Sequence, residues 1–284
     1  MINTLKKLFF ISRPISWPNT AFPFAAGYLV AGGAINPLFV IGSLYFLISY
    51  NLLMYGVNDV FDYESDIRNP RKGGIEGMKE QRKFHPTILW AAIITNVPFL
   101  IALYVLGNHI SAIVLTLVVF FVVGYSIKGL RFKEVPVLDS ITSSLHFVGP
   151  LIFALSLTGW PYGAWQYVVA FFLWGIASHA FGAVQDIIPD RKGKLKSIAT
   201  VLGARRTMRL AYVLYILAAA IVVSQPAPYW FIGIAGLLYV FNISQYIRIS
   251  DKDSMQVNKP WRRFIWINLF VGFVVTLVII GSSL

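Results

Sequence analysis

Acidic side chains follow two long apolar segments of this chain. The first acidic cluster is the run NDVFDYESD at 58–66, and the second runs from Asp186 to Asp190. Each comes after about 20 apolar residues, the length that spans a bilayer. A carboxylate at such a place is costly unless something compensates its charge. Divalent cations that hold a phosphate group would do so, and the sequence therefore predicts a membrane enzyme that acts on a lipid diphosphate.

The spacing of the first acidic cluster favours a metal site. If 58–66 continues the preceding helix, Asp59, Asp62 and Asp66 fall at i, i+3 and i+7 on one face, with Asn58 one turn before Asp62. Unpaired like charges would repel one another there, whereas Mg²⁺ binds carboxylates together with phosphate oxygens and water. The predicted Mg²⁺ ligands are Asn58, Asp59, Asp62, Asp66, Asp186 and Asp190.

The second acidic cluster is expected to turn toward the same site. Pro189 disfavours a helical backbone at Ile188, so the preceding helix is predicted to end near Asp186 and to free Asp190. The alternative for both clusters is a solvated helix end with salt bridges to neighbouring basic residues. Those neighbours are Arg68, Arg71, Arg191 and Lys192.

Basic residues near the two clusters are candidates for binding the departing diphosphate through charge-assisted hydrogen bonds. The candidates are Arg71, Lys72, Lys128, Arg131, Arg191 and Lys192. Lys128, together with Asp62 and Asp190, is also predicted to be catalytic. The alternative for each cation is an orientation signal or a contact to lipid headgroups.

Several residues inside the apolar segments have two interpretations. Tyr55 and Trp174 could stabilise a carbocation through their ring faces, or they could simply pack. His179 lies seven residues before Asp186 and could accept a proton from a product cation, although a hydrogen-bonded packing role is the alternative. Asp139 is expected to cap a helix or to pair with Lys128 or Arg131.

Hydropathy predicts an all-α, multi-pass membrane protein with a single domain over residues 1–284. The chain is 57% hydrophobic and only 13% charged, which is too apolar for a soluble domain of this length. Nine apolar stretches have the length of a membrane-spanning helix. They lie near 17–33, 38–57, 88–107, 110–127, 138–159, 164–185, 210–226, 229–247 and 264–284.

The charges predict the orientation in the cell membrane. Every one of the 24 Lys and Arg residues, and all 12 acids, lies in the N-terminal segment or in alternate connections. The positive-inside rule puts that face, with the N-terminus and the opening of the site, in the cytoplasm. The loops at 66–87 and 190–208 lie on the same face and could cap the site. Because Arg13, Pro14 and Pro18 interrupt the first apolar run, that helix is expected to be retained rather than cleaved.

Composition also excludes some classes of protein. A net charge of +12 could indicate nucleic-acid binding, but the basic residues border apolar helices and form no recognised binding module. Contact with membrane lipid or phosphate explains them better. With no cysteine in the chain, disulfides, Cys-ligated zinc and a thiol nucleophile are excluded.

The two acidic clusters resemble a known pair of motifs. NDVFDYESD resembles the NDxxDxxxD motif of the UbiA superfamily of intramembrane prenyltransferases, and DIIPD followed by RKGKLKSIATVLG is similar to its second Asp-rich motif. Arg71, Tyr125 and Lys128 match further family positions, whereas Ile75 stands where a second arginine is usual. The resemblance implies a bundle of nine helices around a central cavity, capped on the cytoplasmic side.

Longer segments are similar to the bacterial lycopene elongases of C50 carotenoid synthesis. These segments are SRPISWPNTAFPF, MYGVNDVFDYESDIRNPRKGGIEG, LRFKEVPVLDSITSSLHF and GAVQDIIPDRKGKLKSIATVLGAR. The similarity implies dimethylallyl diphosphate as a C5 donor, lycopene as the acceptor, two successive additions and carotenoid enzymes as partners. The alternative within the superfamily is an aromatic quinone precursor, a haem or a chlorophyll as the acceptor.

Two other classes of membrane protein also use acidic residues. A CDP-alcohol phosphotransferase needs an Asp-Gly and an Ala-Arg at set spacings after its first Asp, and this chain has neither. A cation transporter would place its acids in the middle of the membrane, whereas here they lie at helix ends. Release of diphosphate would separate the transporter from the enzyme.

Overall fold

The computed structural model describes residues 2–67, 73 and 78–283, and these residues form α-helices, short 3₁₀ and π turns, and connections. The predicted all-α class is therefore confirmed. The chain divides into two compact units, residues 1–132 with 146–160 and residues 133–145 with 161–284. The single domain over 1–284 stays a prediction.

Unit 1 contains the first half of the helices and the first acidic cluster. Its helices are α1 Ile2–Ile11, α2 Pro18–Val30, α3 Pro37–Leu44, α4 Tyr50–Phe61, α5 Tyr63–Asp66, α6 His85–Leu106, α7 His109–Ser126 and, from residue 146, α8 Leu138–Thr158. Within this unit, α4 packs against α1, α6 and α7, and α2 packs against α3. The first acidic cluster therefore begins in the last turn of a helix that packs against several other helices of the unit.

Unit 2 contains the start of α8 and the second acidic cluster. Its other helices are α9 Ala164–Val184, α10 Ile187–Lys192, α11 Ile198–Leu202, α12 Ala204–Val223, α13 Trp230–Ser244 and α14 Asn258–Ser283. Helix α12 packs against α9 and α13, and α13 packs against α14. Trp174 belongs to the aromatic core of this unit, with ring centroids 5.8 Å from Phe264 and 5.7 Å from Tyr239. These ring contacts support the interpretation that Trp174 packs against other side chains.

A π-helical turn at Tyr45–Ser49 joins α3 to α4. Such a turn disturbs the regular ladder of backbone hydrogen bonds, and in a membrane the carbonyls involved must find donors within the protein. The Phe46 carbonyl accepts from Thr20 Oγ1 at 2.7 Å and from Asn51 Nδ2 at 2.8 Å. Asn96 Nδ2 donates to the carbonyl of the last residue of the turn at 2.8 Å. These buried polar residues stabilise the irregular segment that leads into α4.

All nine apolar stretches are helical. Among the described residues, seven helical segments are long and apolar enough to cross a membrane, and the chain is an integral membrane protein. The other two stretches form α2, with 13 residues, and α13, with 15, which are short for a bilayer about 30 Å thick. The count of nine spans stays a prediction.

Two local predictions about the acidic clusters were wrong. The first cluster is not one continuous helix, because Asp62, at φ −99° and ψ −1°, separates α4 from α5. In the second cluster Ile188 is helical, as the second residue of α10. Pro189 is the third residue of that helix, where a backbone N–H has no intrahelical acceptor and a missing one is tolerated.

Gly42 provides a test of the packing around α3. A Cβ built on Gly42 would lie 2.2 Å from Cζ of the fully buried Phe24 ring. We expect Gly42→Ala to destabilise the protein by about 1–3 kcal/mol, because the ring has no free space to move into. Thermal unfolding in detergent micelles measures the effect.

Gly272→Ala is the matched control, since a Cβ on that helical glycine has no described atom within 4 Å. This variant should leave the midpoint of thermal unfolding unchanged or raise it slightly, because alanine has a higher helix propensity than glycine. Equal midpoints for the two variants would contradict the close packing of Gly42 on Phe24.

Candidate functional site

Asn58 and Asp62 form a buried pair at the end of α4. Asp62 is only 4% exposed, and Asn58 Nδ2 donates to its Oδ2 at 2.8 Å. The same nitrogen donates to Ser126 Oγ at 3.0 Å, at the end of α7. Both hydrogen bonds use the amide nitrogen, so the amide oxygen is the atom that Asn58 can offer to a cation.

Arg131 is the predicted diphosphate ligand that lies beside this pair. Its Nη2 is 3.7 Å from Asp62 Oδ1, and its Nη1 donates to the Phe61 carbonyl at 3.3 Å. The residue adopts a left-handed backbone, with φ of 44°, in the turn after α7. Lys128 lies in the same turn and is exposed. The guanidinium of Arg131 is thus placed to balance the buried charge of Asp62.

The two acidic clusters use the same backbone turn, one in each unit. Asp62 has φ −99° and ψ −1°, and Asp186 has φ −97° and ψ −1°. Four residues later, the Asp66 N–H donates to the Asp62 carbonyl and the Asp190 N–H donates to the Asp186 carbonyl, each at 2.9 Å. In both units a long helix is followed by this turn and a short helix. The two acidic clusters therefore share one local backbone geometry.

Arg191 braces the connection after the second acidic cluster. Its Nη1 donates to Asp251 Oδ2 at 2.6 Å, and its Nη2 donates to the Thr200 carbonyl at 2.8 Å. Asp251 Oδ1 in turn accepts from the Ala204 N–H at 2.7 Å, at the start of α12. The structure gives Arg191 protein partners, whereas Lys192 is exposed.

Asp139 holds the loop that contains Ile198. Its side chain is fully buried, and Oδ2 accepts from the Ile198 N–H at 2.7 Å at the start of α11. Its Oδ1 accepts from the Ser140 N–H at 2.7 Å. Asp139 therefore binds backbone N–H groups at the starts of α8 and α11, which supports the helix-capping interpretation. Ser140 Oγ also lies 2.9 Å from His179 Nδ1. This contact supports the hydrogen-bonded packing role of His179.

Asp59 and Asp66, two predicted metal ligands of the first acidic cluster, are both buried. Asp59 is 5% exposed and forms an ion pair with Arg13. Asp66, at 6%, is buried at the end of α5. Arg71 and Lys72 lie outside the described residues, as do residues 68–70 and 74–77 of the predicted capping loop at 66–87.

The donor set at the end of α4 fits Mg²⁺. The carboxylates of Asp62 and Asp66 and the amide oxygen of Asn58 are hard oxygen ligands, and both carboxylates are buried. In the part of the chain that the structure describes, no three His, Asp or Glu side chains are grouped closely enough to hold one ion. Mg²⁺ ordinarily takes only one or two carboxylates and completes its shell with phosphate oxygens and water, so the set agrees with a metal that binds together with a diphosphate.

Three residues with contacts in this region were not predicted from the sequence: Arg13, Ser126 and Asp251. Arg13 contacts Asp59, Ser126 contacts Asn58, and Asp251 contacts Arg191. Only Ser126 had a local signal, because it lies between Tyr125 and Lys128. The other two lie 46 and 60 residues from their partners, a separation over which helical periodicity carries no information.

Comparison with known proteins identifies the relatives of this chain. A model of the UbiA prenyltransferase family matches residues 20–276. A lycopene elongase/hydratase of Corynebacterium glutamicum is 49% identical over 283 residues, covering 99% of both chains. A C(50) β-cyclic carotenoids biosynthesis protein of a Dietzia species is 47% identical over 284 residues, covering 99% of this chain and 66% of the relative.

A solved structure has the same fold. A UbiA homologue of Archaeoglobus fulgidus, bound to DMAPP and Mg²⁺, superposes with a TM-score of 0.67 at 20% identity. The match covers 96% of this chain and 99% of the homologue. The similarity extends over nearly the whole length, so both units belong to one shared fold.

Asp251→Ala tests the brace around Arg191. Removing the carboxylate leaves the Ala204 N–H and the Arg191 guanidinium without their acceptor. Because the pair is partly exposed, we expect a loss of only about 1–2 kcal/mol in the free energy of unfolding. Thermal unfolding in micelles gives the value. Lys252→Ala, an exposed neighbour, should change nothing, and an Asp251→Ala protein as stable as the Lys252→Ala control would argue against the brace.

Proposed function

The chain belongs to the UbiA prenyltransferase family, and from that membership we propose that it transfers a dimethylallyl group from its diphosphate to the ends of lycopene. The products are C45 and C50 carotenoids. The acceptor rests on the full-length similarity to lycopene elongase/hydratase proteins. The donor agrees with the DMAPP bound to the structural relative from Archaeoglobus fulgidus.

One observation carries the donor chemistry. Asp62 is a nearly inaccessible carboxylate at the end of a membrane helix, hydrogen bonded to Asn58 and beside the guanidinium of Arg131. Removing a carboxylate from water is costly. A buried carboxylate at a membrane helix end is therefore a candidate for function, and Mg²⁺ with a diphosphate is the use that fits these oxygen donors and this nearby cation.

The proposed Mg²⁺ ligands lie in the two acidic clusters. Asn58, Asp62, Asp66, Asp186 and Asp190 would hold Mg²⁺ and the donor diphosphate. Mg²⁺ held by these residues would neutralise the charge that develops on the diphosphate as it leaves. The sequence also predicts Asp59 to be a ligand, although Arg13 already binds its carboxylate.

Basic side chains would bind the leaving group. Arg131 lies beside Asp62, and Lys128 is exposed in the same turn, where a flexible ammonium group can reach a phosphate oxygen. Arg71 and Lys72 are proposed for the same role on the evidence of the sequence. Arg191 and Lys192 are the candidates after the second acidic cluster, and Arg191 would have to exchange its contact with Asp251 for one with the diphosphate.

The proposed reaction begins with heterolysis of the C–O bond of dimethylallyl diphosphate. Both electrons of that bond leave with the diphosphate, and an allylic cation remains. The terminal double bond of lycopene supplies the pair for the new C–C bond, which leaves a tertiary cation on the acceptor. Loss of a proton or addition of water with loss of a proton completes the step. An acceptor alkene needs no base to activate it, in agreement with the lack of a recognisable catalytic triad in the sequence.

The proposed setting is the cell membrane, with the N-terminus and the opening of the site toward the cytoplasm. Dimethylallyl diphosphate is water soluble and would enter from that side, whereas lycopene would enter from the lipid. The positive-inside charge pattern supports this orientation. An apolar surrounding would also protect the allylic cation from water.

Expression in a bacterial host that accumulates lycopene tests the function. We expect C45 and C50 carotenoids among the extracted pigments, separated by liquid chromatography and identified by mass. Asp62→Ala should abolish both products, because it removes a proposed metal ligand, while the protein remains folded in the membrane. Retained product formation in this variant would contradict the metal-site assignment.

Glu64→Gln is the matched control, since this acid lies two residues from Asp62 but is exposed and paired with Arg82. It should keep wild-type product levels. If lycopene remains unchanged with the wild-type protein present in the membrane and dimethylallyl diphosphate supplied, the acceptor assignment fails, and aromatic acceptors become the next substrates to assay.

A further inference from the structure

Arg13 connects the N-terminal segment to the first acidic cluster. It follows α1, and its Nη2 donates to Asp59 Oδ1 at 2.6 Å. The side chain of Arg13 is 14% exposed and that of Asp59 only 3%. The pair is therefore largely removed from water, where loss of either partner leaves a buried charge without compensation.

The second oxygen of Asp59 binds a third segment of the chain. Its Oδ2 accepts from the Met78 N–H at 3.2 Å. Two residues later, the Glu80 carboxylate forms an ion pair with Lys7 of α1. The segment around Met78 and Glu80 is thus held to the N-terminal segment in two ways. Lys7 binds Glu80 directly, and Arg13 binds Asp59, which accepts from Met78.

Tyr55 holds the other side of the Arg13 side chain. The guanidinium carbon lies 4.2 Å from the centroid of the Tyr55 ring, a cation–π contact. Tyr55 lies one helical turn before Asp59 on α4. A protein cation therefore already covers one face of this ring, which argues against its stabilising a substrate carbocation through that face.

The backbone conformation of Arg13 is unfavourable by itself, so the contacts of its side chain must outweigh a conformational free-energy cost. Arg13 has φ of 52° and ψ of 72°, in the left-handed region. A residue with a Cβ adopts this conformation at a conformational cost and keeps it where the surrounding structure holds it. The contacts with Asp59 and Tyr55 are the interactions that hold the side chain in place.

The hydrogen bonds of Asp59, more than its place on the helix, distinguish it from the proposed ligands. With 3.6 residues per turn, Asn58 and Asp62 differ by about 40° around the helix axis, and Asp59 lies about 100° from Asn58 and about 60° from Asp62. Asn58 and Asp62 bond to each other, while Asp59 bonds to Arg13 and Met78. To bind a metal, Asp59 would have to withdraw from partners that need its charge.

We infer that Asp59 is not a Mg²⁺ ligand but the anchor for Arg13, and that Arg13 is a positioning residue for the reaction. The pair fixes the end of α4 against the N-terminal segment and Met78, and so fixes the direction of Asn58 and Asp62 on the adjacent face. This inference rests on the proposed function for its catalytic consequence. Its structural part, the coupling of Arg13 with Asp59, is independent of that function.

A double-mutant cycle tests the inference. Arg13→Ala, Asp59→Ala and the double variant are purified in micelles, and their unfolding midpoints are measured without ligand. We expect the double variant to be no less stable than the worse single variant, because each change removes the same interaction. Arg82→Ala and Glu64→Ala, an exposed ion pair of the same unit, form the control cycle and should give small losses that add. Additive losses for Arg13 and Asp59 would overturn the coupling.

The metal response separates an anchor from a ligand. Mg²⁺ with inorganic pyrophosphate should raise the unfolding midpoint of wild type and of Asp59→Ala, but not that of Asp62→Ala. In turnover of dimethylallyl diphosphate, Asp59→Ala and Arg13→Ala should raise the half-saturating Mg²⁺ concentration by about 10- to 100-fold, the usual effect of losing an outer-shell partner, with a smaller effect on kcat. A merely structural role would leave that concentration unchanged. If Asp59→Ala loses the pyrophosphate response as completely as Asp62→Ala does, Asp59 is a ligand and the inference is wrong.

Conservative variants and the wild-type protein distinguish failure to fold, direct contact with the diphosphate and failure of the proposed function. Where an alanine variant does not fold, Arg13→Lys and Asp59→Asn replace it in the same cycle, and Arg13→Lys should recover part of the stability. If the double variant turns over more slowly than Asp59→Ala alone, the additional loss would mean that Arg13 contacts the diphosphate itself. Wild-type protein without turnover or a pyrophosphate response would contradict the proposed function, while the unfolding cycle would still decide the coupling.

Discussion

The hydrocarbon core of a membrane offers no hydrogen bonds, and the polar groups of the membrane-spanning helices must therefore bind one another. The π-helical turn before α4 shows the constraint most directly. Its carbonyls would be exposed to hydrocarbon in an isolated helix, but side chains of Thr20, Asn51 and Asn96 donate to them. Because each unmet hydrogen bond in lipid is costly, these three residues determine where α4 can begin, and with it the place where the first acidic cluster ends.

The same constraint governs the acids. Asp59 binds Arg13 and Met78, and Asp139 binds the backbone at Ile198. Asp62 accepts from the Asn58 amide and lies 3.7 Å from the Arg131 guanidinium. Asp59 and Asp139 thus hold chain segments together, whereas Asp62 is proposed to bind metal.

The sequence predicted features that depend on local pattern. The nine apolar stretches are helices, and the two acidic clusters are at helix ends, because hydropathy and helix length are read over some twenty neighbouring residues. The break at Asp62 and the helical conformation of Ile188 were missed, since a bend of one residue leaves no periodic trace. Contacts over long separations, such as Arg13 with Asp59 or Arg191 with Asp251, were missed because they depend on tertiary packing. The proximity of Arg131 to Asp62 agrees with the choice of that arginine as a phosphate ligand.

The link between Arg13, Asp59 and Met78 also has a consequence for the order of events during synthesis. Arg13 leaves the ribosome before its partners, which follow 46 and 65 residues later in the chain. At roughly 5–20 residues per second, the arginine waits about 2–10 seconds for its carboxylate. During that interval nothing from α4 compensates its charge or holds its left-handed backbone. The N-terminal segment can therefore reach its final conformation only after α4 and Met78 have been made.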